Sequence, residues 1–262
     1  MKQRKNHSSK LANAGVLAFV VFSGLLAPAS ASAALVSGNA RISIDNSAFS
    51  AAAGWIVDRY FDASYNTTAI NANTAGGSGS TSNMQFSVNS VDTTVFYGNP
   101  PNRYLEATTT DTGNTAVGQI GLSGALRLAV PGNPGAGVLM PYDFTLEKIG
   151  SIWNLVSHDL FFKGTTFLQL SNASESVNAN GELTLSGDLI LGGGVGPTTY
   201  PNAFGLTWSS FLGVSGAGQT AVVGSLSLTP AAVPLPSAVW LFGSSLLGLI
   251  GYKRRQLHCV SV

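Results

Sequence analysis

The chain has 262 residues, 45% of them apolar, with 13 Lys and Arg against 12 Asp and Glu and a formal net charge of +1. Four bases lie in the first ten residues and three at 253–255, so residues 34–232 hold six basic and twelve acidic groups, a net charge of −6. Such a body lacks the basic footprint of nucleic-acid binding, its apolar content excludes a disordered chain, and the single cysteine, Cys259, excludes an internal disulfide or a cysteine metal cluster.

Residues 1–33 begin with Lys2, Arg4, Lys5 and Lys10, continue with an eleven-residue apolar run from Val16 to Leu26, and end in Ala31-Ser32-Ala33. This is the grammar of a secretory signal-peptide helix, too short to span a bilayer and cut by signal peptidase between Ala33 and Ala34. The basic start has no Arg-Arg pair, so the twin-arginine route is not indicated.

From residue 34 to 232 the dominant hydrophobic period is two. Ile120 to Val130, Leu183 to Leu191 and Val222 to Leu228 alternate apolar or glycine positions with small or polar ones, which predicts half-buried strands. Shorter candidates are Ala40 to Ile44, Met84 to Val88, Thr93 to Tyr97, Tyr104 to Thr109, Tyr142 to Leu146, Ile152 to Val156 and Thr165 to Leu170. Gly54 to Asp62 fits a helical turn or a buried strand and is read as a short helix. Asn180-Gly181 is the best hairpin turn, and the 31 glycines show no collagen period. Leu122-Ser-Gly-Ala-Leu126 and Leu185-Ser-Gly-Asp-Leu189 echo one another, each with glycine at an inward position. That echo fits either a paired bend or duplicated unit, or the shared grammar of glycine-rich strands, and the latter reading is favoured because the flanks do not repeat. The whole predicts one all-β domain, an antiparallel β-sandwich or jelly roll.

Catalytic constellations are thin. His158, beside Asp159, is the one histidine of the body, and no Gly-X-Ser-X-Gly elbow accompanies it. One histidine without a body cysteine does not make a common zinc site. Glu106 with Asp111, and Asp143 with Glu147, are candidate carboxylate pairs, but on a strand the latter two stand about 13 Å apart, beyond glycosidase spacing. Asp111-Thr-Gly-Asn114 and Asn178-Ala-Asn-Gly-Glu182 offer oxygens to calcium or to Asx turns, without an EF-hand pattern. Trp55, Trp153, Trp208, Tyr97 and Tyr200 would stack on sugar if exposed and fill a core if not.

Residues 233–255 read Val-Pro-Leu-Pro-Ser-Ala-Val-Trp-Leu-Phe-Gly-Ser-Ser-Leu-Leu-Gly-Leu-Ile-Gly-Tyr-Lys-Arg-Arg. The uncharged stretch Ala238 to Tyr252 gives roughly 22 Å of helix at 1.5 Å per residue, a short transmembrane helix. Trp240 and Tyr252 suit the interfaces, and Lys253, Arg254 and Arg255 stay cytoplasmic by the positive-inside rule, with 256–262 as a cytoplasmic tail. The ordered set Pro234-Leu235-Pro236, Trp240-Leu241, Leu246-Leu247-Gly248-Leu249 and Arg254-Arg255 resembles the PEP-CTERM sorting signal of Gram-negative bacteria. Leu235 stands where that family has Glu, and seven residues follow Arg255. The resemblance implies recognition by an exosortase-like processing enzyme at the membrane, in cells that make extracellular polysaccharide.

The expectation is therefore an exported, non-catalytic cell-envelope or extracellular-matrix protein without a cofactor, anchored in the inner membrane before processing and then at the cell surface or outside it. The alternatives are a carbohydrate-binding jelly-roll module, marked by a planar row of exposed rings, and a secreted hydrolase, marked by a deep pocket holding His158 or converging carboxylates.

Overall fold

A computed structural model of the chain describes residues 35–65, 76–90, 93–95, 103–133, 139–158, 164–193 and 208–231. The period-two strands bury one face, as alternation requires. On β1 (Asn39–Ile44) the residues Ala40, Ile42 and Ile44 are buried while Arg41 faces water. On β10 (Leu183–Ile190) and β11 (Val222–Thr229) the buried rows are Leu183, Leu185 and Leu189, and Val223, Leu226 and Leu228. Antiparallel register sets these rows side by side, with Leu228 opposite both Leu185 and Ala40.

The other strands are β2 (Ile56–Phe61), β3 (Met84–Val88), β4 (Thr93–Val95), β5 (Arg103–Leu105), β6 (Ile120–Ala129), β7 (Tyr142–Ile149), β8 (Ile152–Ser157) and β9 (Thr165–Val177). The order β6-β3-β1-β11-β10-β9-β8-β7 returns to β6 through direct pairing of Ile120 with Leu146 and Leu122 with Phe144. Eight antiparallel strands thus close into a barrel. β2 lies along the later half of β6 beyond β3, and β4 with β5 forms a separate two-stranded sheet.

The closed barrel overturns the expected sandwich or jelly roll. Two packed sheets keep free edges, and the β6–β7 pairing removes them. Closure needs strongly bent strands, and the echoed glycines supply bends. The β6–β7 register shifts between Leu122 and Ala125, around Gly124, and the β10–β9 register shifts between Ser186 and Asp188, around Gly187. Gly124 has φ 148°, and a Cβ there would lie 2.5 Å from the Phe86 ring. The Leu-Ser-Gly-x-Leu echo is therefore a paired bend rather than shared strand grammar alone.

An eight-stranded barrel is just wide enough for side chains to fill. Here an aromatic series crosses it, with ring centroids 5.1 Å apart for Tyr60 and Phe86, 5.8 Å for Phe86 and Phe144, and 5.7 Å for Phe144 and Phe167. Trp208, on the short helix α2 (Trp208–Phe211), continues the series 5.3 Å from Phe167. Outward positions hold Arg41, Ser43, Ser186, Asp188 and Ser225, so the barrel is apolar inside and polar outside, the reverse of a membrane-spanning barrel.

Gly54 to Asp62 is a second correction, since it contains strand β2 rather than a helix. The helix lies just upstream as α1 (Asn46–Ala53), where Asp45 caps the Ser47 and Ala48 amides at 2.8 and 3.1 Å and Gly54 ends it at φ 72°. A third short helix, α3 (Ala217–Thr220), precedes β11. The expected Asn180-Gly181 turn joins β9 to β10, with Gly181 at φ 76°.

β1 starts and β11 finishes at one end of the barrel, Asn39 opposite Thr229. The β7–β8 and β9–β10 turns and the loop entering β6 lie at that same end. Among the described residues no helix is long and apolar enough to cross a membrane. The expected signal-peptide helix (1–33), sorting helix (233–255) and tail (256–262) lie outside the described residues.

Candidate functional site

On β7, Phe144 and Leu146 enter the core, which turns Thr145 and Glu147 to the barrel's outer wall. Thr145 is nevertheless fully buried, because the chain after β5 crosses that wall. Gly121, opposite Thr145, permits the crossing. A Cβ on Gly121 would sit 1.8 Å from the Glu106 carbonyl oxygen. Gly121 N donates to the Thr108 hydroxyl at 3.1 Å, Asn89 N donates to the Gly121 carbonyl at 2.8 Å, and Thr108 N donates to the Asn89 carbonyl at 2.8 Å.

Under this strap lies a polar triplet. The Thr145 hydroxyl donates to Glu147 Oε1 at 2.7 Å and stands 2.9 Å from His158 Nε2, which is 3.5 Å from the same carboxylate oxygen. A hydroxyl has one proton, and here it goes to Glu147, so Nε2 meets Thr145 as an N–H donor. A nucleophilic hydroxyl needs the opposite polarity, with a bare imidazole nitrogen accepting its proton. Thr145 and His158 are also closed to solvent. The triplet satisfies buried polar groups and offers no attacking atom.

Beside it, an open groove of about 570 Å³ runs between the loop entering β6 and the β7–β8 turn, lined by Thr109, Val117, Gln119, Glu147, Lys148 and Ile149 among others. Among the described residues that line it, Glu147 is the one carboxylate, and His158 is not one of them. Gln119 is engaged with Glu106 Oε2 and the Ala107 carbonyl, both at 3.1 Å. Among the described residues this groove therefore presents a single carboxylate and not the pair that glycoside hydrolysis uses.

A second polar cluster sits at the same barrel end. Glu175 Oε2 accepts from Lys148 Nζ at 2.7 Å and from Trp153 Nε1 at 2.8 Å, and its other oxygen accepts from the Thr115 hydroxyl. Burial pushes the Glu175 carboxyl up, but the hydrogen bonds from Lys148, Thr115 and Trp153 and the Lys148 charge outweigh it and hold the group below the usual carboxylate range. On the other side of the barrel wall, burial first and the Asp62 charge second push the Tyr60 phenol above its ordinary range, against the bond that Tyr60 makes to the Gln85 carbonyl.

The remaining sequence candidates separate cleanly. Asp111 and Asn178 each form an Asx turn, Asp111 Oδ1 accepting from Gly113 and Asn114 at 2.7 and 2.9 Å and Asn178 Oδ1 from Asn180 and Glu182 at 2.9 and 3.0 Å. Asp143 has φ 51°, so the regular strand on which Asp143 and Glu147 would share a face is broken. Trp153 and Trp208 are buried and Trp55 packs partly against the core, so these rings form no sugar-stacking row. Tyr97, Tyr200 and Asp159 lie outside the described residues, as do Ala31, Ala33 and Ala34 and the sorting residues Pro234, Leu235, Pro236, Trp240, Leu241, Gly248, Arg254 and Arg255.

Sequence reasoning missed both polar clusters. The signal was present in β7, where Thr145 and Glu147 alternate with Phe144 and Leu146, but outward polar residues ordinarily meet water, and it is the crossing strap that covers Thr145. Comparison with protein-family models, curated proteins and solved structures gives no match for the chain.

Proposed function

We propose that the chain is an exported, non-catalytic cell-envelope or extracellular-matrix protein, sorted through its PEP-CTERM-like C-terminal segment and linked to exopolysaccharide or biofilm. One observation carries the reading furthest. The barrel's first and last strands support it, since β1 begins at Asn39 and β11 finishes at Thr229, its register partner at the same barrel end, and in sequence both expected processing points lie outside that pair. Cleavage after Ala33 and near Pro236 would leave every barrel strand intact. The filled interior and the engaged polar clusters favour a display body over a catalyst.

The test is fractionation with intact-mass analysis, in cells with and without the exosortase-like enzyme. Loss of residues 1–33 and of the segment beyond about Pro236 is expected in the mature fraction of the first cells, and retention of the C-terminal segment in the second. Mature protein that still yields peptides containing Cys259 would overturn the sorting reading.

A further inference from the structure

The barrel end from which both terminal segments depart also gathers exposed apolar side chains. Leu35 precedes β1, Val117 lies in the loop entering β6, Ile149 and Ile152 flank the β7–β8 turn, and Val177 ends β9; all are between 39% and 63% exposed. Away from this end, the exposed large apolar side chains among the described residues are Val130, Phe211 and Val222. Single exposed apolar residues need no explanation, but four separate chain segments converging on one rim make a surface.

We propose that this rim rests on the bilayer that holds the C-terminal segment, so that the barrel stands end-on against lipid before processing. The proposal rests on reading residues 233–255 as a membrane anchor. Chain length is the argument for lipid over other occupants. Ala231 lies beside Gly38 at the rim, a Cβ on Gly38 falling 2.8 Å from Ala231 N. From Ala231 to Ala238, where the uncharged run begins, the chain can reach at most roughly 25 Å at 3.3–3.6 Å per residue. An eight-residue strand such as β10 is itself roughly 26 Å long. A tether no longer than the barrel keeps the rim as the end nearest the membrane.

Charge selects the kind of lipid. Asp111, Glu175 and Glu182 lie at this end with Lys148, and Lys148 is already paired with Glu175 at 2.7 Å. The rim is therefore apolar with an acidic bias, suited to a zwitterionic surface and repelled by an anionic one.

The test uses the full chain carrying Cys259→Ser, with a polarity-sensitive fluorophore attached through Val117→Cys, Ile152→Cys or Val222→Cys, mixed with phosphatidylcholine vesicles. The expected result is flotation with the vesicles, blue-shifted emission at 117 and 152 but not at 222, and loss of that shift as anionic lipid is added. Flotation with all three labels reading water overturns the rim contact and leaves the anchor reading standing. Failure to float overturns the anchor reading and this proposal with it. A blue shift already present without vesicles places the chain's own apolar segment on the rim, and one that vanishes on protein dilution at constant lipid places a second copy there. Either result overturns the lipid contact.

Discussion

At the scale of single residues, the described part of the chain puts its polar groups to structural use. Thr145 joins Glu147 to His158 inside a closed wall, so Thr145→Val is expected to strand both partners and cost about 1–3 kcal/mol, the range for a buried polar group that loses its bond. Urea unfolding followed by tryptophan fluorescence measures it, and an unchanged midpoint would show that the triplet contributes nothing. Gly124→Ala is expected to be worse than an ordinary strand substitution, because the new methyl meets the Phe86 ring at 2.5 Å and the backbone sits at φ 148°. The same substitution at Gly132, which has open space around its Cβ position, controls for loss of the glycine alone, although its φ of 76° carries a strain of its own. Glu175 adds a pH dependence of definite sign. Its folded pKa lies below the ordinary 4.5, so its stabilisation is complete above that value and is lost as pH falls through the lower folded value. Glu175→Gln should therefore lose less stability than the parent chain between neutral pH and strongly acid pH, as read from paired urea midpoints.

At the scale of elements, legibility in the sequence followed local pattern. β1, β3, β6, β10 and β11 announce themselves by alternation, and the β9–β10 turn by Asn180-Gly181, because a strand with one buried face and a tight turn are both local demands. The helix α1 carries no such pattern, and the segment read as a short helix, Gly54 to Asp62, lies just downstream of it and holds β2. Its residues Asn-Ser-Ala-Phe-Ser-Ala-Ala-Ala bury only Phe49 and Ala53, so the amphipathic signal is weak, and its position is fixed by the Asp45 cap and the Gly54 stop, which flank it as the capping rules require. Asp45→Ala is accordingly expected to cost about 1 kcal/mol, the usual value of an N-cap, and Asp45→Asn to recover most of it. Amide exchange of Phe49 measured on both variants localises the effect to the first turns of α1. Loss spread evenly over the barrel would instead mean that the cap acts through the junction of β1 with β11.

At the scale of the whole molecule, closure was invisible in the sequence because sandwich and barrel ask the same alternation of each strand and differ only in which strand meets which. β6 decides the matter by pairing with its chain neighbour β7 on one side and with the earlier strands β3 and β2 on the other, a choice of partners that no single strand's pattern encodes. The ring depends equally on β11, which arrives last in the chain and pairs with β1 some 190 residues earlier, as the Thr229 to Asn39 contact spans. Without β11, two long edges would face water, the row Val223, Leu226 and Leu228 would vanish from the interior, and Ile42 and Leu185 would lose their covering neighbours. No disulfide within the body can hold the ring shut in its place, since the chain's only cysteine is Cys259. A chain ending at Ala221 is therefore expected to lose cooperative unfolding and to aggregate through its edges, whereas one ending at Ala231 keeps every barrel strand. Comparing the two by thermal denaturation and size-exclusion chromatography separates the contribution of residues 232–262 from that of the final barrel strand, on which closure depends. Cooperative unfolding of the shorter chain would mean that an open β-sheet suffices and that closure serves some purpose other than stability.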